Sequence, residues 1–315
     1  MVNFKAMTQF ISCDWGTSRF RLRLVDREQQ QILAEHATGE GIQNLAAIHP
    51  AKEGRREFLG TVLERGIAAL GVGNKIDIPL VMSGMASSTL GWQSLPYSPL
   101  PAPIDGSTVR FVDFLQAGRK VRLVSGLQAD SDVMRGEETE LIGIFADPTR
   151  RPLADNCVVV LPGSHSKHVH LRGGQIVGFT THLTGELFNL LCRSSTLETG
   201  DDAVFAPAPF VAGVQASRAQ GMSAALFQTR ARAVLGHLPA KHGRAFLSGV
   251  LIGAEISALA GTGARRIVLA AGGQLANEYA LALTELLPGM TVTQIPPADL
   301  AAATVSGHAR ILSYP

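Results

Sequence analysis

Residues 8–26, TQFISCDWGTSRFRLRLVD, restrict the fold more than any other stretch of this 315-residue chain. Phe10-Ile11-Ser12-Cys13 is an apolar run of strand length. After Asp14-Trp15-Gly16-Thr17-Ser18 the residues alternate strictly, with Phe20, Leu22 and Leu24 on one face and Arg19, Arg21 and Arg23 on the other. Period-two alternation beyond a glycine-containing turn predicts a β-hairpin. The turn also carries chemistry. A carboxylate at a strand end stands beside Gly16, Thr17 and Ser18, whose N–H groups and hydroxyls suit phosphate oxygens. Such an acid can hold a hydrated divalent cation. An ordinary hairpin whose Asp and Gly serve only the turn fits the same residues, so the rest of the chain must decide.

A third strand is expected at 31–38, a Gly-rich loop at 39–45, and an amphipathic helix at 52–70 from the spacing of Phe58, Leu59, Val62, Leu63, Ile67 and Leu70. A buried strand at 79–84 runs into a small-residue loop at Met85. Residues 90–92 and 95–103 are too rich in Gly and Pro for regular structure. Strands at 109–115 and 120–127 precede a helix at 136–146 with acids in its first turn, where the helix dipole favours them. Residues 147–156, with two prolines, read as a linker.

The pattern then restarts. An apolar strand at 157–161 leads into Pro162-Gly163-Ser164-His165-Ser166, an alternating strand at 167–171, a turn at 172–175 and a strand at 176–183. Helices are expected at 186–193, 209–220, 223–236 and 245–259. A strand at 266–271 ends in Gly272-Gly273, followed by a helix at 276–287, a strand at 290–295 and a helix at 299–312. Each half is thus a three-strand meander followed by helices and strands, with a Gly- and Ser-bearing first turn. At 315 residues two domains are expected, 1–150 and 151–315.

Composition narrows the partners. Charged residues make up 17% and the net charge is +2, which argues against nucleic acid or an acidic membrane surface. Cys13, Cys157 and Cys192 are odd in number, far apart and in apolar settings, as expected of core thiols in a reducing compartment. No apolar run approaches the ~20 residues that cross a bilayer, and the first ten residues lack a signal-peptide apolar region. The expectation is a cytoplasmic enzyme acting on a small molecule; a homo-oligomer is allowed.

Several stretches, in order along nearly the whole chain, carry a family resemblance. They are Cys13-Asp14-Trp15-Gly16-Thr17-Ser18, Ser83-Gly84-Met85 with Gly91-Trp92, and residues 133–143 (VMRGEETELIG). Further on come residues 161–167 (LPGSHSK), Thr184-Gly185-Glu186-Leu187, and residues 246–255 (FLSGVLIGAE). The MRGEET and PGSHSK stretches are specific, whereas the DWGTS turn is shared with many kinases. Together they resemble the 2-dehydro-3-deoxygalactonokinase family of the actin-like ATPase and sugar-kinase superfamily. The resemblance implies an α/β fold of two ribonuclease H-like, hexokinase-type domains facing each other across a nucleotide cleft. It also implies transfer of the ATP γ-phosphate to the 6-hydroxyl of 2-dehydro-3-deoxy-D-galactonate, with ATP and Mg²⁺ as cofactors, in galactonate catabolism.

Roles follow from that resemblance. Asp14 is expected to hold Mg²⁺, with Gly16, Thr17, Ser18 and Arg19 near the transferred phosphate. Gly163, Ser164 and His165 form the opposing phosphate loop; Lys167 adds charge or is a solvated strand end. Glu137 is expected to be the general base, because related sugar kinases place an Asp at a similar helix start. Glu138 and Asp132 remain alternatives, as does a purely dipole-complementing role for all three. Arg135, beside the base, offers a planar fork for the acceptor carboxylate and completes the catalytic group. Asn44, Ser83, Gly84, Met85 and Trp92 are expected to wall the acceptor pocket, although Trp92 also suits a core. Gly272 and Gly273 resemble the turn that approaches adenine. His165, His168, His170 and His182 invite a metal reading, but no Cys pair or H-E-x-x-H accompanies them. Competing functions are use of the gluconate epimer or another sugar acid, an acceptor-free phosphatase or ATPase, a non-catalytic sugar sensor and a filament-forming relative.

Overall fold

A computed structural model describes residues 8–49, 51, 53–197, 205–264 and 266–315. The chain divides into two units. The first comprises Met1–Asp155, Gly173–Gly178 and Ala298–Pro315, and the second Asn156–Arg172 and Phe179–Pro297. The division expected at 150/151 is therefore drawn at Asp155, and residues from 298 onward join the first unit.

In the first unit β1 (Gln9–Trp15) and β2 (Phe20–Asp26) form the expected hairpin, and β3 (Gln31–Thr38) extends it antiparallel. Phe20 and Leu22 are fully buried, as the alternation requires. The opposite face is not simply solvated, since Arg23 is also buried and its Nε donates to Glu35 Oε2 at 2.6 Å. The loop expected at 39–45 instead contains the start of α1 (Ile42–Ile48). This helix is held from outside itself, by Ile42 N–H to the Gly16 carbonyl and Gln43 N–H to the Thr17 carbonyl, each 3.0 Å. Next, α2 (Arg55–Ala69) lays Leu59, Val62, Leu63 and Ile67 on the sheet; its expected start at Lys52 lies outside the described residues. At Gly66 an added Cβ would stand 2.7 Å from Leu22 Cδ1, so α2 rests directly on β2.

The fully buried β4 (Leu80–Gly84) runs parallel to β1. Residues 95–103, expected to be irregular, include two short paired segments, β5 (Ser98–Pro99) and β6 (Ala102–Pro103). After them come β7 (Phe111–Gln116), β8 (Arg119–Val124), β9 (Leu127–Gln128), β10 (Val133–Met134) and α3 (Glu137–Ile144). The main sheet has the order β3-β2-β1-β4-β8-β7, with β4 and β8 parallel to β1.

The second unit repeats the plan. Here β11 (Asn156–Leu161) pairs antiparallel with β12 (Ser166–Arg172), and β13 (Gln175–His182), which belongs to this unit from Phe179 on, follows. Helices α4 (Thr184–Ser194), α5 (Pro207–Gln220), α6 (Met222–Val234) and α7 (Gly243–Ser257) precede β14 (Arg266–Leu269), α8 (Gly273–Leu286) and β15 (Thr291–Gln294). Strand order is β15-β14-β11-β12-β13, with β14 and β15 parallel to β11. Both units thus have an antiparallel meander whose first strand is continued by parallel strands. Packed helices close the core around Val158, Val160, Phe210, Val214, Ile252, Ile267 and Leu283.

The final helix α9 (Pro297–Ile311) packs, from Ala298 on, in the first unit. Its Gly307 and α3's Gly143 permit backbone contact: a Cβ on Gly307 would lie 2.0 Å from the Thr139 carbonyl, and one on Gly143 1.7 Å from the Ala303 carbonyl. Buried Arg122 grips Asp113 with two hydrogen bonds and donates to the Ile311 and Tyr314 carbonyls at 3.0 and 2.8 Å. No helix among the described residues is long and apolar enough to cross a membrane.

Candidate active site

Asp14 is next to last in β1, with Arg21 opposite on β2 and Ser83 opposite on β4. Its Oδ2 accepts from Arg21 Nη1 at 3.1 Å. Burial raises its carboxyl pKa; Arg21 and Arg23 oppose that, and Glu137 adds to it. Ser83 is fully buried, and its hydroxyl has no hydrogen-bond partner. Gly84 has φ +84°, a left-handed conformation that favours glycine. A Cβ there would lie 2.8 Å from the Trp15 carbonyl and 3.7 Å from Asp14 Oδ1, and one on Gly136 would lie 3.3 Å from Gly84 Cα. The missing side chains let the ends of β1 and β4 and the start of α3 meet.

At that start Glu137 accepts the Arg135 N–H at 2.9 Å. Glu138 points inward. It is fully buried, accepts the Gly136 N–H at 2.7 Å and the Thr139 hydroxyl at 3.0 Å, and burial and Glu137 push its carboxyl up to about 7. Asp132 accepts its neighbour Val133 N–H at 2.7 Å. The Arg135 guanidinium lies over Tyr97, 4.3 Å from the ring centroid, and donates to the Ser87 hydroxyl at 2.7 Å and to the Ser87 carbonyl. A fork held this way presents its plane in a fixed orientation.

The turn at 16–19 is closed by Gly16 N–H to the Arg19 carbonyl at 2.8 Å. Gly41 lies against it, since a Cβ there would be 2.3 Å from the Thr17 carbonyl. Ser18 and Arg19 are exposed. Asn44 is exposed as well, donating to the Gly39 carbonyl at 2.8 Å. Met85 opens a short 3₁₀ turn beside the core. Trp92 is 4% exposed and stacks on Phe114 in the core of the first unit, with its indole N–H unpartnered.

In the second unit Gly163, Ser164 and His165 are exposed on the β11–β12 turn. The turn abuts the N-terminus of α4: Glu186 N–H donates to the Ser164 carbonyl at 3.0 Å, and His165 Nε2 meets Glu186 Oε2 at 2.5 Å. Lys167 is not a solvated strand end. It is 3% exposed, with its ammonium donating to the His165 carbonyl at 3.1 Å. His168 binds Glu255 at 3.0 Å, and its ring centroid is 4.4 Å from that of His182.

A cavity of about 510 Å³ opens beside this turn, lined by Gly163, Ser164 and Gly185, by apolar Phe188, Phe205, Leu251, Ile252 and Leu275, and by Arg244, Ser248, Gln274 and Glu278. Glu278 accepts from Ser248 and Gln274, each at 2.6 Å. Gly272 and Gly273 are exposed at the start of α8, with open space where a Cβ would stand, immediately before the lining residues Gln274 and Leu275. An apolar slot with a few fixed polar groups, next to a turn of small residues, suits a heterocycle joined to a phosphate chain.

A sequence model of the 2-keto-3-deoxy-galactonokinase family matches residues 14–309. The chain belongs to this family. It is 34% identical to a probable 2-dehydro-3-deoxygalactonokinase of Rhizobium meliloti (strain 1021), over 96% of this chain and 97% of that one. It is 31% identical to the 2-dehydro-3-deoxygalactonokinase of Escherichia coli (strain K12), over 91% and 92%. A crystal structure from Sinorhizobium meliloti, of a candidate 2-dehydro-3-deoxygalactonokinase, superposes with a TM-score of 0.80 at 33% identity and covers 96% of both chains. The activator of the 2-hydroxyisocaproyl-CoA dehydratase from Clostridium difficile, solved with ADPNP, shares the fold alone, with a TM-score of 0.50 at 11% identity over 97% and 94%. The architecture is the two-domain ribonuclease H-like fold.

Within this galactonokinase-family chain the first unit brings Asp14, Gly84, Arg135 and Glu137 together and leaves Trp92 in the core. The sequence reading missed Glu140, whose carboxyl is pushed up to about 8 by burial, then by the charges of Glu137 and Asp14, against Arg21. Its spacing of three from Glu137 on one helix was the available signal. It also missed Tyr97 and Ser87, which hold Arg135, and the cavity role of α7 and α8, although the 246–255 stretch quoted for the resemblance contains the lining residues Ser248, Leu251 and Ile252. No group of three or more His, Cys, Asp or Glu poised for a metal occurs among the described residues. A Mg²⁺ that keeps its waters and binds phosphate oxygens needs only one or two carboxylates. Asp14, flanked by the field of Glu137, fits such an ion.

Proposed function

We propose that this chain phosphorylates the 6-hydroxyl of 2-dehydro-3-deoxy-D-galactonate from ATP, giving 2-dehydro-3-deoxy-6-phosphogalactonate in galactonate catabolism in the cytoplasm. The observation that carries this reading is the family match across residues 14–309, which spans the Asp14 turn, the Glu137 helix and the turn at 162–166.

Phosphoryl transfer passes through a loose transition state, so the protein chiefly positions groups and offsets charge. Asp14 holds the hydrated Mg²⁺, which when bound neutralises charge on the phosphate oxygens. Gly16, Thr17, Ser18 and Arg19 lie against the phosphate being moved. In the second unit Gly163, Ser164 and His165 contact the remaining phosphates, while the apolar cavity takes the adenine. Glu137 accepts the proton of the acceptor hydroxyl; the full burial of Glu138 and its hydrogen bonds to Gly136 and Thr139 favour Glu137 over it for this role. Arg135, braced by Tyr97 and Ser87, pairs with the acceptor carboxylate. Ser83, with its buried hydroxyl unpartnered, offers a hydrogen bond at the same end of the sheet.

The deciding experiment follows ATP consumption with 2-dehydro-3-deoxy-galactonate, with the gluconate epimer and with no acceptor. Consumption dependent on the first is expected. Acceptor-independent hydrolysis would make the protein an ATPase or phosphatase, and equal use of both epimers would remove the assigned specificity.

A further inference from the structure

Glu255, near the end of α7, is 3% exposed and accepts hydrogen bonds from four side chains. Ser166 Oγ at 2.6 Å and His168 Nε2 at 3.0 Å reach Oε1; Tyr279 OH at 2.7 Å and the Thr184 hydroxyl reach Oε2. These partners come from three elements, β12, α4 and α8. Two of them flank the phosphate turn. Ser166 ends it. Thr184 opens α4, and the next residue, Gly185, leaves room for the turn: a Cβ there would sit 2.4 Å from the Gly163 carbonyl. With Glu186 N–H on the Ser164 carbonyl, the turn and the α4 N-terminus form one body, gripped from beneath at both flanks by a single carboxylate.

The residue type matters. A carboxylate only accepts, so it can satisfy four donors at once, whereas an amide of the same shape turns an NH₂ toward two of them. Burial pushes the Glu255 carboxyl up, but the bonds from His168, Ser166 and Thr184 outweigh burial and hold it below the usual carboxylate range. Glu255 does not line the cavity, although Thr184 and Tyr279 do. Its action on a ligand is therefore indirect.

We propose that Glu255 is a positioning residue for the nucleotide-phosphate turn, fixing residues 163–165 through Ser166 and Thr184. This rests on the reading of that turn as the phosphate loop. Steady-state kinetics of Glu255→Gln, Ser166→Ala and Thr184→Val test it. Glu255→Gln raises KM for ATP about tenfold or more, with KM for the sugar acid unchanged within about twofold. Each hydroxyl deletion gives a smaller rise, and combining either one with Glu255→Gln gives less than the sum of the single effects, because both act through the same carboxylate. Unchanged KM for ATP in folded Glu255→Gln, or additive effects, overturns the proposal. If Glu255→Gln does not accumulate folded, the Ser166→Ala/Thr184→Val pair decides on the same criterion. Gly163→Val serves as the control: if it too leaves ATP use untouched, the phosphate-loop reading fails; if only it impairs ATP use, the role of Glu255 alone fails.

Discussion

At Glu137 the carboxylate already holds the Arg135 N–H, so its orientation is set before any acceptor arrives. A positioned base contributes about 10²–10⁴ in rate. Glu137→Gln is expected to lower kcat within that range while leaving ATP affinity, measured by titration calorimetry, unchanged. Asp14→Asn should instead abolish Mg²⁺-dependent transfer in a protein that still melts cooperatively; near-normal turnover in either variant would reassign the role. Glu140 makes a separate prediction about pH. Its folded carboxyl titrates at about 8, far above the ordinary 4.5, so its contribution to stability is full below about 4.5 and is lost as pH rises through 8. Urea melts at pH 5, 6.5 and 8 should show a smaller loss across that window in Glu140→Gln than in the parent, and an unchanged slope would remove Glu140 from the ledger. Asp14 and Glu137 stood out as candidates in the sequence because a carboxylate at a turn and one at a helix start are local features, and the structure sets the two within each other's field. Lys167 was not, because a lysine beginning a strand looks the same whether its ammonium meets water or the carbonyl of its own turn.

Among the elements, α3 carries Glu137 at one end and Gly143 near the other, and its contact with α9 is backbone on backbone. A methyl group at Gly307 would overlap the Thr139 carbonyl, and overpacking of this kind costs about 1–3 kcal/mol. Gly307→Ala is therefore expected to lower Tm by on the order of 5 °C and to lower kcat through α3, with KM for ATP unchanged; scanning calorimetry with kinetics on the same sample checks both. In both meanders the first strand was readable as a short apolar run and the second from alternation, as in Phe20, Leu22 and Leu24. The start of α1 was not. Gly39-Glu40-Gly41 signals a loop, and the seven-residue helix that follows is secured by the Gly16 and Thr17 carbonyls of a distant turn. The cavity was equally hidden, because Ser248 and Glu278 come from two helices whose periodicity announces only a core.

Across the whole chain, a single plan is used twice: an antiparallel meander, parallel strands and covering helices. Duplication of that plan was legible; the return of residues 298–315 to the first unit was not, since the amphipathic pattern of α9 does not name the sheet it covers. His308 is the pH-sensitive point of that return. It is fully buried, 2.8 Å from the Ser12 hydroxyl, and burial followed by Arg23 lowers its pKa to about 3. A depressed histidine contributes stability above 6.5 that is lost as pH falls toward 3, about 2 kcal/mol of it by pH 5. His308→Gln should flatten the acid limb of the stability profile between pH 6.5 and 5; a limb as steep as the parent's would place acid sensitivity elsewhere. The same return also sets a clock on biosynthesis. Translation of α9 begins about 140 residues after Asp155, on the order of ten seconds at typical elongation rates. Throughout that interval Ser12, Arg122 and Gly143 wait without the helix that covers them, so the domain begun first on the ribosome is completed only after the other has been synthesised.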